Sequence, residues 1–203
     1  MFVIVRHGNT FAAGETPRRI GARTDLALTE TGLAQAHALG AHFATLGWHF
    51  ARVLVSPLLR TRQTAAAILA AQPHPATPEQ ADFLREIDHG PDEDQAEDAV
   101  IARIGREALA AWDAHAVPPP GWSVAANERI AAWNRLLSTL PPRAGPVLLV
   151  TSNGAARFAL LADPMLQYGI ATLPSLKLPT GSYGVIRKSA DGALDVAVWG
   201  RRP

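Results

Sequence analysis

The stretch Met1-Phe2-Val3-Ile4-Val5-Arg6-His7-Gly8-Asn9-Thr10 opens with an apolar, β-branched run and then turns abruptly polar. The run does not alternate between polar and apolar, so it predicts a strand buried on both faces that stops at Arg6-His7-Gly8. Two later runs repeat the pattern. Val53-Leu54-Val55 passes into Ser56-Pro57, and Val147-Leu148-Leu149-Val150 passes into Thr151-Ser152-Asn153-Gly154. Helical periodicity fills the intervals. Thr29 is placed to cap a helix over 30–46, with Leu33, Ala36, Leu39, Phe43 and Leu46 on one face and Gly47 as its stop. Further helices are predicted over 58–71, 97–115, 123–139 and 154–162, with Pro141-Pro142 closing the one over 123–139. A weaker strand is predicted at 81–84, and two late strands at 183–188 and 194–199 flank an Asp191-Gly192 turn. Residues 11–28 read as a long loop, and the acidic residues 88–98 as a solvated one. Strands alternating with helices predict an α/β fold: three layers, α/β/α, around a mostly parallel central sheet, in one domain spanning 1–203.

Composition narrows the function. A chain of 203 residues with 48% apolar content can build a sizeable core. Its net charge of +1 offers no bulk attraction for nucleic acid or an anionic membrane, so any bound anion needs a local site. The absence of cysteine removes disulfides, thiolate catalysis and cysteine zinc sites. No apolar run reaches the roughly 20 residues that cross a bilayer. The opening run is too short for a secretory leader, which makes the expected location cytoplasmic. The seven histidines show no H-E-x-x-H spacing, and no P-loop is present. Neither a metal nor a cofactor is expected, and the expected partner is a small molecule.

Ligands of an open parallel sheet bind beyond the carboxyl ends of the strands. The polar turns after the three strong strands lie at that end, joined by Arg85-Glu86-Ile87-Asp88-His89-Gly90 after the weak one. Together they bring arginines, a histidine, a carboxylate and helix N-termini to one place. Arginine meets phosphate oxygens with paired hydrogen bonds, and helix N-termini add free N–H groups. Arg60 and Arg62 sit near a helix start, where a cation opposes the macrodipole, which marks at least one of them as functional.

The ordered motifs resemble those of the histidine phosphatase superfamily, the phosphoglycerate-mutase-like fold. Arg6-His7-Gly8-Asn9-Thr10 is similar to its R-H-G-x-T signature, and Asp25-Leu26-Ala27-Leu28-Thr29-Glu30-Thr31-Gly32 to D-x-P-L-T-x-x-G, with Ala27 for proline. Ser56-Pro57-Leu58-Leu59-Arg60-Thr61-Arg62-Gln63-Thr64-Ala65 resembles S-P-L-x-R-A-x-Q-T-A, and Leu84 to Gly90 resembles L-x-E-x-x-x-G. Val147 to Gly154 stands where the family has a hydrophobic strand followed by S-H-G.

The resemblance implies a phosphohydrolase acting on a small phosphorylated metabolite. It makes His7 the nucleophile that becomes a phosphohistidine, and Glu86 the acid and then the base. Arg6, Arg60, Asn9, Thr10, Arg18, Asn153 and Gly154 would hold the phosphate. One departure stands out: the family's second histidine is replaced by Asn153, which can donate a hydrogen bond but cannot carry charge. His89 and Arg157 are the candidates to supply that charge. Pro91-Asp92-Glu93-Asp94 departs as well, and is expected to place acidic groups at the entrance. The chain also lacks the family's G-E-S stretch and the insertions with which mutases cover their substrates, so a phosphatase is expected before a mutase. The alternative left by Asn153 is a phosphate-binding protein that has lost the chemistry.

Overall fold

The computed structural model describes residues 1–139 and 145–203; the Pro141-Pro142 stop lies outside them. The sheet holds six strands: β1 (Phe2–Arg6), β2 (Arg52–Val55), β3 (Pro78–Gln80), β4 (Val147–Thr151), β5 (Tyr183–Lys188) and β6 (Leu194–Arg201), in the order β3-β2-β4-β1-β5-β6. The first four run parallel; β5 lies antiparallel beside β1, and β6 antiparallel beside β5. β4 sits between β1 and β2, with Phe2 and Arg52 both opposite Val147. This common register ends the three strands at one edge, and β1 carries Arg6 to the level of Thr151.

Among the described residues six helices cover the sheet: α1 (Glu30–Thr45), α2 (Leu59–Leu69), α3 (Glu97–His115, kinked at Gly105), α4 (Ala126–Ser138), α5 (Asn153–Leu160) and α6 (Pro164–Gly169). The period of two in a strand divides the apolar runs between two cores. Phe2, Ile4, Leu54 and Leu149 face Trp112, Trp133, Phe158 and Leu166 of α3 to α6. Val3, Val5, Val53, Val55, Leu148 and Val150 face Leu39, Phe43 and Ile68 of α1 and α2. Full burial of each such side chain contributes about 1.5–3 kcal/mol. This is the three-layer architecture expected from the uninterrupted apolar runs.

Four expectations need correction. The predicted strand at 81–84 is a 3-10 turn over Asp82–Leu84 that buries Leu84; the edge strand is the exposed β3, just before it. On α1, Leu33 and Leu46 are exposed, and the buried stripe is Gly32, Ala36, Leu39, Gly40 and Phe43. The acidic stretch 88–98 is not simply solvated. Asp92 is buried against Arg103 and the Trp122 indole N–H, and the Glu93 carboxylate accepts from the N–H groups of Gly21, Arg23 and His89 and from the Thr24 hydroxyl. These two carboxylates are therefore turned inward and do not stand at an entrance. The helix predicted over 123–139 begins only at Ala126, after Ser123 has paired with Asp88.

Candidate active site

The β1 turn is held by side chains that the motif residues supply. Thr29 caps α1 by accepting the Gly32 N–H at 3.1 Å and donates to the Asn9 carbonyl at 3.2 Å. Gln35 accepts the Asn9 N–H at 2.9 Å. Gly8 and α1 touch backbone to backbone, since a Cβ on Gly8 would meet the Gly32 oxygen at 2.3 Å. The start of α2 is tied down in turn by Asp25, whose carboxylate accepts the Leu59 N–H at 2.6 Å.

His7 is buried, and its Nδ1 lies 2.7 Å from the Gly8 carbonyl. A carbonyl only accepts, so Nδ1 carries the proton and the lone pair sits on Nε2. Arg60 Nε donates to that Nε2 at 3.2 Å, while its Nη1 and Nη2 are held by the carbonyls of Thr24 at 2.7 Å and Gly21 at 3.1 Å. Burial, and then the charges of Arg60 and Arg6, push the His7 pKa well below its ordinary value. The imidazole is neutral at pH 7.

Arg6 donates through Nη1 to the Leu178 carbonyl at 2.7 Å and leaves its buried Nε without a protein partner. Burial lowers its pKa to about 10, opposed by Glu86 and reinforced by Arg60, so it stays charged. Glu86 is buried, with one oxygen accepting the Ile87 N–H at 2.9 Å and the other the Gly154 N–H at 3.0 Å. Burial alone would raise its pKa; His89, the two N–H groups and Arg60 more than reverse this and lower it. Glu86 is thus a carboxylate. Gly154 permits the contact, because a Cβ there would lie 2.3 Å from a Glu86 oxygen.

Arg6, His7 and Glu86 open into one cavity of about 560 Å³, within the range of small-molecule sites, whereas Arg60 is fully buried behind His7 and does not itself line it. Arg6, His7, Asn9, Thr10, Glu86, His89, Asn153 and Gly154 line its inner end. Arg18 lies at the outer end, half-exposed and paired with Asp94 at 3.1 Å, so it is separate from the inner cluster. The N–H of Gly154 is committed to Glu86 and is not free for an anion. The Asn153 amide oxygen accepts the Leu178 N–H at 3.0 Å, which leaves its NH2 group as the donor available to the cavity. Of the two candidates for the missing charge, Arg157 is fully buried behind the wall, stacked 4.0 Å over Trp112, and does not line the cavity. His89 does line it. Its ring packs edge-on against Trp122 with centroids 4.6 Å apart, and its Nδ1 lies 3.6 Å from a Glu93 oxygen. Burial works against the Glu93 charge, yet its contacts with His89 and Thr24 and its backbone donors hold its pKa at about 2.

Sequence reasoning missed Arg19, Trp112, Asp113, Lys177 and Thr180, which also line the cavity. Arg19 is paired with Glu97 at 2.5 Å and Lys177 with Asp113 at 2.6 Å. No local pattern marks them, because they meet only through the path of α3 and the segments at 17–20 and 177–180.

The family model for the histidine phosphatase superfamily (branch 1) matches residues 2–200. The chain belongs to the histidine phosphatase superfamily. A 2,3-bisphosphoglycerate-dependent phosphoglycerate mutase from Methylobacterium sp. (strain 4-46) is 30% identical, over 96% of this chain and 94% of its own length. The mycobacterial glucosyl-3-phosphoglycerate phosphatase shares the fold with a TM-score of 0.77 at 21% identity, over 100% of this chain and 99% of its own. The alpha-ribazole phosphatase of Shigella flexneri does so with a TM-score of 0.72 at 20% identity, over 99% and 96%. Within this superfamily the fold is that of the phosphoglycerate-mutase type.

Proposed function

We propose that the chain is a phosphohydrolase that cleaves a small phosphomonoester through a phosphohistidine on His7. The observation that carries this reading is the fixed tautomer: a neutral imidazole with its lone pair on Nε2, beside Arg6 and Glu86 in the wall of a cavity, with Arg60 buried behind it. Nε2 attacks phosphorus while Arg6 and Arg60 face the charge on the non-bridging oxygens. Arg60 exchanges its hydrogen bond to Nε2 for one to phosphate as the substrate enters. A phosphate arriving beside Glu86 adds negative charge there and raises its affinity for a proton. Glu86 then gives that proton to the departing alkoxide as the P–O bond breaks. In the second step the Glu86 carboxylate takes a proton from water, the water oxygen attacks phosphorus, and the P–N bond breaks to free phosphate. His89 lines the same cavity and can meet the phosphate beside Asn153, with Glu93 next to its Nδ1.

Phenyl phosphate should release inorganic phosphate at an undiminished rate in the presence of a metal chelator. No release, or release that requires a divalent cation, counts against this reading. The mutase among the relatives favours a second reading, return of the phosphoryl group to another hydroxyl of the substrate; its product would be an isomeric ester with no net phosphate release.

Asn153 offers a separate check. Asn153→Ala removes both the cavity donor and the acceptor of the Leu178 N–H, beside the carbonyl that seats Arg6. It should weaken vanadate binding by about 1–2 kcal/mol, the cost of a charge-assisted bond. Asn153→His should strengthen binding by about the same amount at low pH, and the gain should fade as pH rises through the new imidazole's pKa. Unchanged affinity in both variants at every pH would remove Asn153 from the oxyanion site.

A further inference from the structure

The outer end of the cavity says what kind of alcohol the phosphate is attached to. Its cations are Arg18, Arg19 and Lys177, and each is already matched by a carboxylate: Asp94 at 3.1 Å, Glu97 at 2.5 Å and Asp113 at 2.6 Å. A second phosphate or carboxylate on the substrate would therefore meet as many negative groups as positive ones and would have to displace a carboxylate from its partner. The inner end differs, since Arg6 keeps an unpartnered buried Nε, and Arg6 with the buried Arg60 stands against the carboxylate of Glu86. Phe11, Pro17, Ile20 and Trp112 add apolar surface to the lining of the same cavity.

A second cavity of about 530 Å³ adjoins the first. Ala110 and Ala114 of α3 form one side of it, and Ile170, Leu173 and Leu176 the other. Asp113 and Lys177 line both cavities, so their ion pair is the partition between them. Both side chains are part-exposed, at 36% and 48%, and a pair this exposed to water is weak and parts readily. With the pair parted, the phosphate site and the apolar groove form one channel between α3 and the 170–177 segment.

Building on the phosphatase reading, we propose that the substrate is the phosphomonoester of an uncharged alcohol, whose apolar portion runs past the Asp113–Lys177 pair into the groove between α3 and residues 170–177. Recognition then divides by chemistry: donors and cations at the inner end take the phosphate, and the balanced rim rejects a second anion. The groove takes hydrocarbon.

The test compares ethyl, hexyl and octyl phosphate with 3-phosphoglycerate as substrates. Full burial of one methylene strengthens binding about fourfold, so even partial burial of the longer chain is readable. kcat/KM should rise at least tenfold from ethyl to octyl phosphate, and 3-phosphoglycerate should fall at or below ethyl phosphate. Ala114→Trp, which fills the groove, should lower the octyl-to-ethyl ratio at least fivefold. Affinities of ethyl- and octylphosphonate for the whole chain supply the same comparison without turnover. If no ester is hydrolysed but octylphosphonate still binds at least tenfold tighter than ethylphosphonate, the phosphatase reading fails and the ligand class stands. If the octyl-to-ethyl ratio is flat in both rate and binding, or 3-phosphoglycerate is preferred, the proposal is overturned.

Discussion

His7→Ala is expected to lower phosphomonoester turnover by roughly 10⁴–10⁶-fold, the scale of loss when one member of a catalytic unit is removed. Rapid mixing of the parent protein with substrate, followed by an acid-free quench, should trap a phosphoryl group that is acid-labile and alkali-stable, and the variant should carry none. Arg60 keeps its bonds to the carbonyls of Thr24 and Gly21 when the imidazole is gone, so the phosphate cradle survives and inorganic phosphate should still bind. Label on another residue in the variant would show that the nucleophile has been misassigned. The depressed His7 pKa gives a second readout. Below about pH 6.5 the unfolded chain protonates this histidine and the folded one does not, so the unfolded state binds more protons and stability falls as pH falls. That contribution ends only at the lower folded-state pKa. The melting temperature of His7→Ala should lose part of this slope, whereas a His7 that titrated normally would leave it unchanged.

How much of this was legible beforehand depends on the range of the interaction involved. The parallel core was readable because Met1–Val5, Val53–Val55 and Val147–Val150 are apolar without alternation, which a strand tolerates only when covered on both faces. β3 was not, because Pro78-Glu79-Gln80 is exposed and joins the sheet through backbone pairing with Val53–Val55 and an exposed Arg52–Glu79 ion pair. The neighbouring Ala81–Leu84 looked more strand-like because Ala81, Phe83 and Leu84 are apolar, and the burial of Leu84 comes from a 3-10 turn. Asp92 and Glu93 were misread for a related reason. Charge in a sequence implies water unless partners converge, and Arg103, Trp122, Gly21 and Thr24 converge only in three dimensions. At the site, the signature residues were visible as motifs, and their supporting bonds explain the motif chemistry. The Asp25 carboxylate holds the start of α2, and Thr29 ties α1 to the β1 turn. The roles of His89 and Arg157 could not be separated by sequence, since one faces the cavity and the other lies behind Trp112.

Glu86→Gln is expected to cut turnover by roughly 10²–10⁴-fold for alkyl phosphates, whose alkoxides need protonation as they leave. For aryl phosphates with acidic phenols the loss in phosphohistidine formation should be much smaller, because those leaving groups depart unprotonated. The second step still needs a base to activate water, so with these substrates the phosphohistidine should accumulate and label should rise above the parent level. The substitution has a structural cost that must be separated from the chemical one. Glu86 accepts one backbone N–H on each oxygen, from Ile87 and Gly154, and an amide has only one oxygen to offer. One of those buried donors loses its acceptor, at about 1–3 kcal/mol of stability. The melting temperature should therefore fall, while vanadate affinity should hold or improve, since a negative charge has left the neighbourhood of the anion. The other carboxylates that line the cavity, Glu97 and Asp113, are engaged by Arg19 and Lys177. Asp88 is engaged by Arg23, and Glu93 by four donors, and neither lines the cavity. None of them is free to replace Glu86. An equal loss across the leaving-group series, with no accumulated phosphohistidine, would mean that Glu86 shapes the pocket without moving a proton, and that the proton comes from the substrate's own phosphate or from water.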